Sequence, residues 1–186
     1  MTAAKIILIR HGQSEWNRAE RLHGRSDLPL NATGIAQAHC LAAELSADGP
    51  WDAVYSSPLF RACQSAQILA DALGIAKVQE NPELMERDFG ESEGRLVKGL
   101  DQEQRRLLMD LGETEEHLVQ RGVNALFKIS AQHPRQKVLV VSHAALISSV
   151  LTALSGEDQS QLANAQMIAL EPALLSNFVA REPLWH

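Results

Sequence analysis

Short apolar segments alternate with longer amphipathic segments along most of the chain. The short segments are predicted strands, and they lie at 5–10, 52–56, 76–78 and 137–142. The longer segments carry apolar residues at helical spacing, and the predicted helices lie at 33–45, 59–73, 114–131 and 144–154. Because strands alternate with helices, we expect an α/β protein, namely a three-layer α/β/α sandwich with a mostly parallel central sheet.

Two local patterns make predictions about the ends of elements. Ser57 followed by Pro58 predicts the N-cap and the first turn of the second helix. Near the end of the chain, residues 167–170 and 175–180 are rich in apolar residues. We expect these two segments to be strands that pair at an edge of the sheet.

Residues 88–113 form an irregular stretch between the regular elements. The chain has no internal repeat, low-complexity tract or linker, so a single domain over 1–186 is expected. Within that domain, the irregular stretch is predicted to form a small flap subdomain over a binding site.

The composition argues against some classes of binding partner and favours one cellular compartment. The 186 residues carry a formal net charge of −6 without a run of like charges, which argues against nucleic acid or an anionic membrane as a partner. Residues 138–156 lack Asp, Glu, Lys and Arg, but their pattern changes from strand-like to helical at Ser142, so a buried strand and a helix are predicted rather than a membrane span. Two cysteines form no disulfide framework, and a cytoplasmic protein is expected.

Candidate chemistry lies at the carboxyl ends of the predicted strands, where open α/β sheets bind their ligands. Arg10 and His11 end the first strand, and His143 ends the last long one. Arg61 lies one turn into the helix that follows another strand. Taken alone, Arg10 and His11 are better explained as the solvated end of a strand. Together, the four residues predict a site for a small, highly charged anion such as a phosphate.

Six segments, three of which contain these residues, follow one another in a specific order. They are 10–17, 21–34, 56–62, 84–90, 112–114 with Arg121, and 141–143. In this order they resemble the histidine phosphatase superfamily, in its phosphoglycerate-mutase-like branch. The resemblance implies covalent catalysis through a phosphohistidine, without a metal ion or a cofactor.

The resemblance also implies roles for individual residues. His11 would be the nucleophile, and Glu86 would be the general acid and base, with Glu83 and Asp88 as the alternatives for that role. The clamp on the phosphoryl oxygens would consist of Arg10, Arg61 and His143. The rest of the phosphate pocket would consist of Asn17, His23, Gly24 and Ala144.

The segment between Glu86 and His143 bears on the reaction. Mutases of the family carry a long basic insertion there, whereas this chain has a short segment, which favours a metal-independent phosphatase that acts on a small phosphorylated metabolite. A phosphoglycerate mutase is the first alternative. A phosphate-binding module without turnover is the second, and the departures from the family pattern at His23, Ala144 and 90–94 would fit it. A monomer or a homodimer is expected, with an edge strand and Trp185 available for a dimer.

Overall fold

The core of the protein is a five-stranded sheet. The computed structural model describes residues 5–159 and 162–181. Within them the strands are β1 (Lys5–Arg10), β2 (Ala53–Ser56), β3 (Val78–Glu80), β4 (Lys137–Ser142) and β5 (Met167–Leu170). Their order is β3-β2-β4-β1-β5, and all neighbours are parallel except β5, which runs antiparallel to β1 at the edge.

Helices connect the strands of the described chain. They are α1 (Glu15–Arg18), α2 (Ala32–Ala47), α3 (Phe60–Leu73), α4 (Gln102–Met109), α5 (Glu115–Gln132), α6 (Ala144–Ser155) and α7 (Pro172–Arg181). Two short 3₁₀ helices lie at Pro82–Leu84 and Gly90–Ser92. None of these helices is long and apolar enough to cross a membrane, and the uncharged stretch 138–156 forms most of β4 and all of α6.

Successive residues of the strands pack into two different hydrophobic clusters. In β1, Ile6 and Leu8 pack with α5 and α6, whereas Ile7 and Ile9 pack with α2 and α3 on the opposite face. Such a strand needs apolar residues at consecutive positions because both of its faces are covered. The sheet therefore lies between two layers of helices, which confirms the predicted α/β/α sandwich.

The start of α3 differs from the prediction. The helix begins at Phe60 with Leu59 as its N-cap, and no side chain caps it. Ser57 instead continues the line of β2, because its amide donates to the Val141 carbonyl at 3.0 Å. Its hydroxyl contacts His143, a residue far away in the sequence, at 2.8 Å. The prediction of Ser57 as the N-cap is wrong because Ser57 still pairs with β4, and the helix begins only three residues later, at Phe60.

The last described element also differs from the prediction. Residues 167–170 form the expected edge strand, but 175–180 lie within helix α7 and do not pair with it. Leu175, Phe178 and Val179 share one side of that helix and pack on the cluster that covers α5 and α6. Their spacing of three and four residues is helical, and it outweighs the apolar character that suggested a strand. Trp185 lies outside the described residues.

The stretch 88–113 leaves the fold and returns to nearly the same point. The Glu113 amide donates to the Asp88 carbonyl at 2.8 Å, and a Cβ on Gly112 would lie only 2.0 Å from that carbonyl oxygen. Between these ends the chain contains the short helix at Gly90–Ser92 and the helix α4, which has no buried residue. The stretch is thus tied at its base and exposed at its tip.

Candidate active site

The carboxyl ends of two neighbouring strands bring His11 and His143 together. Arg10 of β1 pairs in register with Ser142 of β4, so the histidines that follow them are neighbours across the sheet. The two rings lie 5.1 Å apart between centroids, in an edge-to-face arrangement. Both side chains are buried, with 2% of His11 and none of His143 exposed.

The hydrogen bonds of His11 define which ring nitrogen can act as a nucleophile. Its Nδ1 lies 2.7 Å from the Gly12 carbonyl oxygen, which only accepts, so Nδ1 carries the proton. The Arg61 Nε donates to Nε2 at 3.2 Å. Burial lowers the pKa of His11 well below its usual value, and the charges of Arg61 and Arg10 lower it further. His11 is therefore neutral, with a bare Nε2 beside a guanidinium group.

Arg61 is fully buried, and backbone carbonyls hold it in place. Its Nη1 donates to the Ser26 carbonyl at 2.9 Å, and its Nη2 donates to the Gly24 carbonyl at 2.7 Å. Burial lowers the pKa of Arg61 to about 10, with Glu86 and other carboxylates opposing the shift, so the group stays charged at neutral pH. The guanidinium is thus fixed next to His11 before any ligand binds.

Glu93, from the base of the flap, supports the loop that holds Arg61. Its carboxylate accepts hydrogen bonds from the Arg25 amide at 2.7 Å, the Ser26 amide at 2.8 Å and the Ser26 hydroxyl at 2.6 Å. Gly24 has a φ of +51°, and a Cβ there would lie 2.1 Å from Glu93 Oε1. A residue with a side chain at position 24 would therefore be strained and would displace the carboxylate.

Glu86 lies at the amino end of α6, beside His143. Its Oε1 accepts from the amides of Arg87 at 2.9 Å and Leu146 at 3.2 Å, and its Oε2 accepts from the Ala145 amide at 3.2 Å. The amide of Ala144 is the first of the helix and has no intrahelical acceptor. Glu86 and Ala144 line a cavity of about 360 Å³ that also contacts Arg10, Asn17, Arg21, Leu22, His23, Arg87, Phe89, Met109, Glu115, Ala145, Ser148 and Ser149.

Arg121 of α5 fixes the backbone that carries Glu86. Its Nη1 donates to the carbonyls of Glu83 and Met85, both at 2.7 Å, and its Nη2 donates to the Glu86 carbonyl at 3.0 Å. Glu113 forms an ion pair with Arg121 at 2.7 Å. Burial opposes ionisation of Glu113, but the hydrogen bonds and charge of Arg121, with the hydrogen bond of His117, lower its pKa to about 2.

The model of the histidine phosphatase superfamily (branch 1) matches residues 6–182, nearly the whole chain. The chain belongs to the histidine phosphatase superfamily. The family expected from the sequence motifs is thereby confirmed.

Relatives within the superfamily carry both phosphatase and mutase names. The chain is 36% identical over 185 residues to the uncharacterized phosphatase PhoE of Bacillus subtilis (strain 168), covering 100% of this chain and 92% of that protein. It is 34% identical over 163 residues to the probable phosphoglycerate mutase GpmB of Proteus mirabilis (strain HI4320), covering 82% of this chain and 75% of that protein. It is also similar to the crystal structure of a mutant phosphoserine phosphatase from Entamoeba histolytica in complex with phosphoserine, with a TM-score of 0.77, 26% identity and 89% of each chain covered.

In this histidine phosphatase superfamily member, the predicted phosphoryl-binding residues converge on one place. Arg61 bonds to His11, the His143 ring packs against the His11 ring, and Arg10 and Glu86 line the same cavity. Arg10 also donates to the Leu162 carbonyl. Burial lowers the pKa of Arg10, and the charge of Glu86 opposes that shift.

The predicted pocket residues Asn17, His23 and Gly24 differ in whether they line the cavity. Asn17 and His23 line the cavity, and the Ser14 hydroxyl links them, since it lies 3.0 Å from Asn17 Oδ1 and 2.7 Å from His23 Nε2. Burial, followed by the charge of Arg61, lowers the pKa of His23 to about 3, so His23 is neutral. Gly24 instead accepts a hydrogen bond from Arg61 through its carbonyl, so it supports that guanidinium group.

The carboxylates that compete with Glu86 occupy different places. Glu83 is exposed, and Asp88 binds the Gly90 amide at 2.7 Å and faces Arg25 at 3.6 Å. Neither residue lines the cavity that Glu86 lines. The geometry therefore favours Glu86 among the three candidates. Within the described residues, no group of three or more His, Cys, Asp or Glu side chains is arranged to hold a metal ion.

Sequence reasoning gave Ser57 only a helix-capping role and gave Glu93 and Arg121 none, although each of the three contacts a site residue or its loop. Ser57 and Arg121 lie in segments that matched the family pattern, so their positions were visible but their contacts were not. Glu93 lies in the stretch 90–94, whose departure from that pattern gave no indication of a supporting contact. All three act through contacts with residues distant in the sequence, and no local pattern encodes such contacts.

Proposed function

We propose that the protein is a metal-independent phosphomonoester phosphatase that acts through a phosphohistidine at His11. The observation that carries this proposal is the state of His11, which is neutral, protonated at Nδ1 and bare at Nε2, next to the fixed guanidinium of Arg61. A bare imidazole nitrogen is the form that attacks phosphorus. The adjacent cationic groups stabilise the charge that spreads over the phosphoryl oxygens in the transition state.

In the first step, the lone pair of His11 Nε2 forms a bond to phosphorus while the ester P–O bond breaks. Glu86, in its protonated form, gives its proton to the departing oxygen, so the alcohol leaves as a neutral molecule and Glu86 remains as a carboxylate. His11 then carries the phosphoryl group on Nε2, and its Nδ1–H still donates to the Gly12 carbonyl. Arg10, Arg61 and His143 contact the phosphoryl oxygens.

In the second step, water attacks phosphorus and the N–P bond breaks. Glu86 accepts a proton from the water, and the electron pair of the broken bond returns to His11 Nε2. Inorganic phosphate leaves, and both catalytic residues are restored. Hydrolysis is favoured over transfer because the segment between Glu86 and His143 is short and lacks the long basic insertion of the mutases.

The substrate class proposed is a small phosphorylated metabolite. The cavity of about 360 Å³ has room for the alcohol part of such an ester, and three arginines line it with Ser148, Ser149 and Glu115. The similar Entamoeba histolytica phosphatase binds phosphoserine, so phosphoserine belongs among the first esters to test.

The test is phosphate release from p-nitrophenyl phosphate and from a panel of small monoesters, with EDTA present throughout. We expect hydrolysis that EDTA does not reduce. The mutase name of a 34% identical relative makes phosphoglycerate mutase the second candidate. Efficient interconversion of 2- and 3-phosphoglycerate with negligible hydrolysis would favour that candidate. Phosphate binding without turnover on any substrate would favour a binding module.

A further inference from the structure

The two ring nitrogens of His143 have different surroundings. The side chain is fully buried, and its Nε2 lies 2.8 Å from the Ser57 hydroxyl. Its Nδ1 has no hydrogen-bond partner among the described residues. Because buried polar atoms almost always have a partner, an unpaired one beside a candidate catalytic residue points to a group that a ligand completes.

The contacts of Ser57 determine where the proton of His143 resides. The Ser57 hydroxyl oxygen accepts from the Leu59 amide at 3.2 Å and has one hydrogen of its own to donate. Among the described residues, the acceptor within reach of that hydrogen is His143 Nε2. A neutral imidazole that accepts at Nε2 is protonated at Nδ1.

His143 is neutral in the absence of a ligand. Burial lowers its pKa well below the usual value, and the surrounding groups Arg61, His11, His23 and Arg10 lower it further. The ring therefore has one proton, and its partner at Nε2 selects the nitrogen that carries it.

We propose that Ser57 is a positioning residue that holds His143 in the Nδ1-protonated tautomer, so that Nδ1–H donates a hydrogen bond to the phosphoryl group on His11. The two rings lie 5.1 Å apart, so a phosphoryl group on His11 is within reach of His143. In the opposite tautomer, Nδ1 would present a lone pair, which repels phosphoryl oxygens. The ligand-binding part rests on the phosphohistidine chemistry proposed above, whereas the tautomer does not depend on turnover.

Ser56 provides a matched control for Ser57. It is equally buried and also lies at the end of β2, but its hydroxyl donates to the Ser57 carbonyl at 2.8 Å rather than to the imidazole. Ser56→Ala and Ser57→Ala thus remove the same atom from adjacent positions. Only the second removes a partner of His143.

The first experiment determines the tautomer by long-range ¹H–¹⁵N correlation on the full-length protein, because the protonated and bare ring nitrogens have well-separated ¹⁵N shifts. Comparison with His143→Gln assigns the signals. We expect Nδ1 of His143 to be protonated in the wild type and in Ser56→Ala, and the Nε2-protonated form to be populated in Ser57→Ala. A wild-type His143 protonated at Nε2 would overturn the proposal, whether or not the enzyme turns over.

The second experiment measures the affinity for inorganic phosphate and orthovanadate. Ser57→Ala should weaken binding of both by roughly 10- to 100-fold, as expected for a hydrogen bond to a charged group. Ser57→Thr keeps the hydroxyl and should restore most of the affinity, and Ser56→Ala should bind as the wild type does. Equal affinities in Ser57→Ala and Ser56→Ala would overturn the proposal. If the wild type has no phosphatase activity, these affinities and the tautomer still test the proposed role of Ser57.

Discussion

The site at the strand ends and the flap differ in how firmly the fold holds them. At the strand ends, His11, Arg61 and His143 are at most 2% exposed, and carbonyl or hydroxyl oxygens fix their ring and guanidinium nitrogens. In the flap, Leu107 and Leu111 are 60% and 56% exposed. One region is preorganised, and the other has few contacts to fix it.

The difference indicates that the proposed enzyme uses separate regions for catalysis and for substrate recognition. Stabilisation of a phosphoryl transition state requires groups whose positions are set in advance, because their reorganisation during the reaction would raise the activation barrier. Recognition of the alcohol part of the ester has no such requirement, and a loosely held segment can adapt to it. We therefore expect substitutions at the strand ends to change the chemical step and substitutions in the flap to change substrate selection.

The largest effect in this group is expected for Glu86→Gln, which removes the proposed acid at the strand ends. An alkyl ester expels a basic alkoxide that needs a proton, whereas p-nitrophenolate leaves without help. The first-step rate should fall by about 10²–10⁴-fold for an alkyl ester and much less for p-nitrophenyl phosphate. Single-turnover kinetics measure that step directly. Glu83→Gln is the control, because Glu83 is exposed, and it should leave both rates unchanged.

Equal losses for good and poor leaving groups in Glu86→Gln would contradict its role as the acid. In that case Asp88, which lies at the base of the flap, becomes the residue to test, and the division between the two regions would need revision.

Glu93→Gln tests the point where the two regions meet, because a flap residue supports the loop that holds Arg61. The glutamine side chain has the same size as the glutamate side chain but lacks its negative charge. Its hydrogen bonds with the backbone N–H groups of Arg25 and Ser26 should therefore be weaker. We expect the affinity for inorganic phosphate to fall about tenfold. Glu91→Gln alters an exposed flap carboxylate and should have no effect. Similar affinities in the two variants would show that the flap does not support the phosphoryl clamp.

Acid should destabilise the protein through the histidines at the strand ends. Burial lowers the pKa of His11 and His143 well below 6.5 and that of His23 to about 3. Below pH 6.5 the unfolded chain therefore binds protons that the folded chain excludes, so the free energy of unfolding should fall as the pH falls from 7 to 5. Urea denaturation measures it. His23→Asn should show a shallower fall, and an identical pH dependence would contradict the neutral state of His23.

The smallest effect is expected for Met109→Ala in α4, which removes a side chain that lines the cavity. We expect KM to change a few-fold for bulky esters, with kcat for p-nitrophenyl phosphate unchanged. Leu107→Ala removes an exposed side chain of the same helix and is the matched control. A large loss of kcat in Met109→Ala would place the flap within the catalytic machinery and contradict the division proposed here.

The two regions also differ in how far the sequence predicts them. The buried strands β1 and β4 are predictable because both of their faces are covered, which leaves continuous apolar runs that end at His11 and His143. Local pattern failed at Ser57, which still pairs with β4 while α3 begins only at Phe60, and at 175–180, where helical spacing prevails over apolar content. The shape of the flap followed from no local pattern, because its ends meet through contacts between Asp88 and Glu113, far apart in the chain.

Isolation of the phosphoenzyme shows whether His11 carries the phosphoryl group. The protein would be mixed with an excess of labelled substrate, quenched in alkali within the first turnover, and mapped by mass spectrometry of its peptides. We expect one phosphoryl group on His11, stable to alkali and labile to acid. The His11→Asn variant should carry no phosphoryl group. Turnover of substrate without a covalent phosphoryl group, or a group on any other residue, would contradict it.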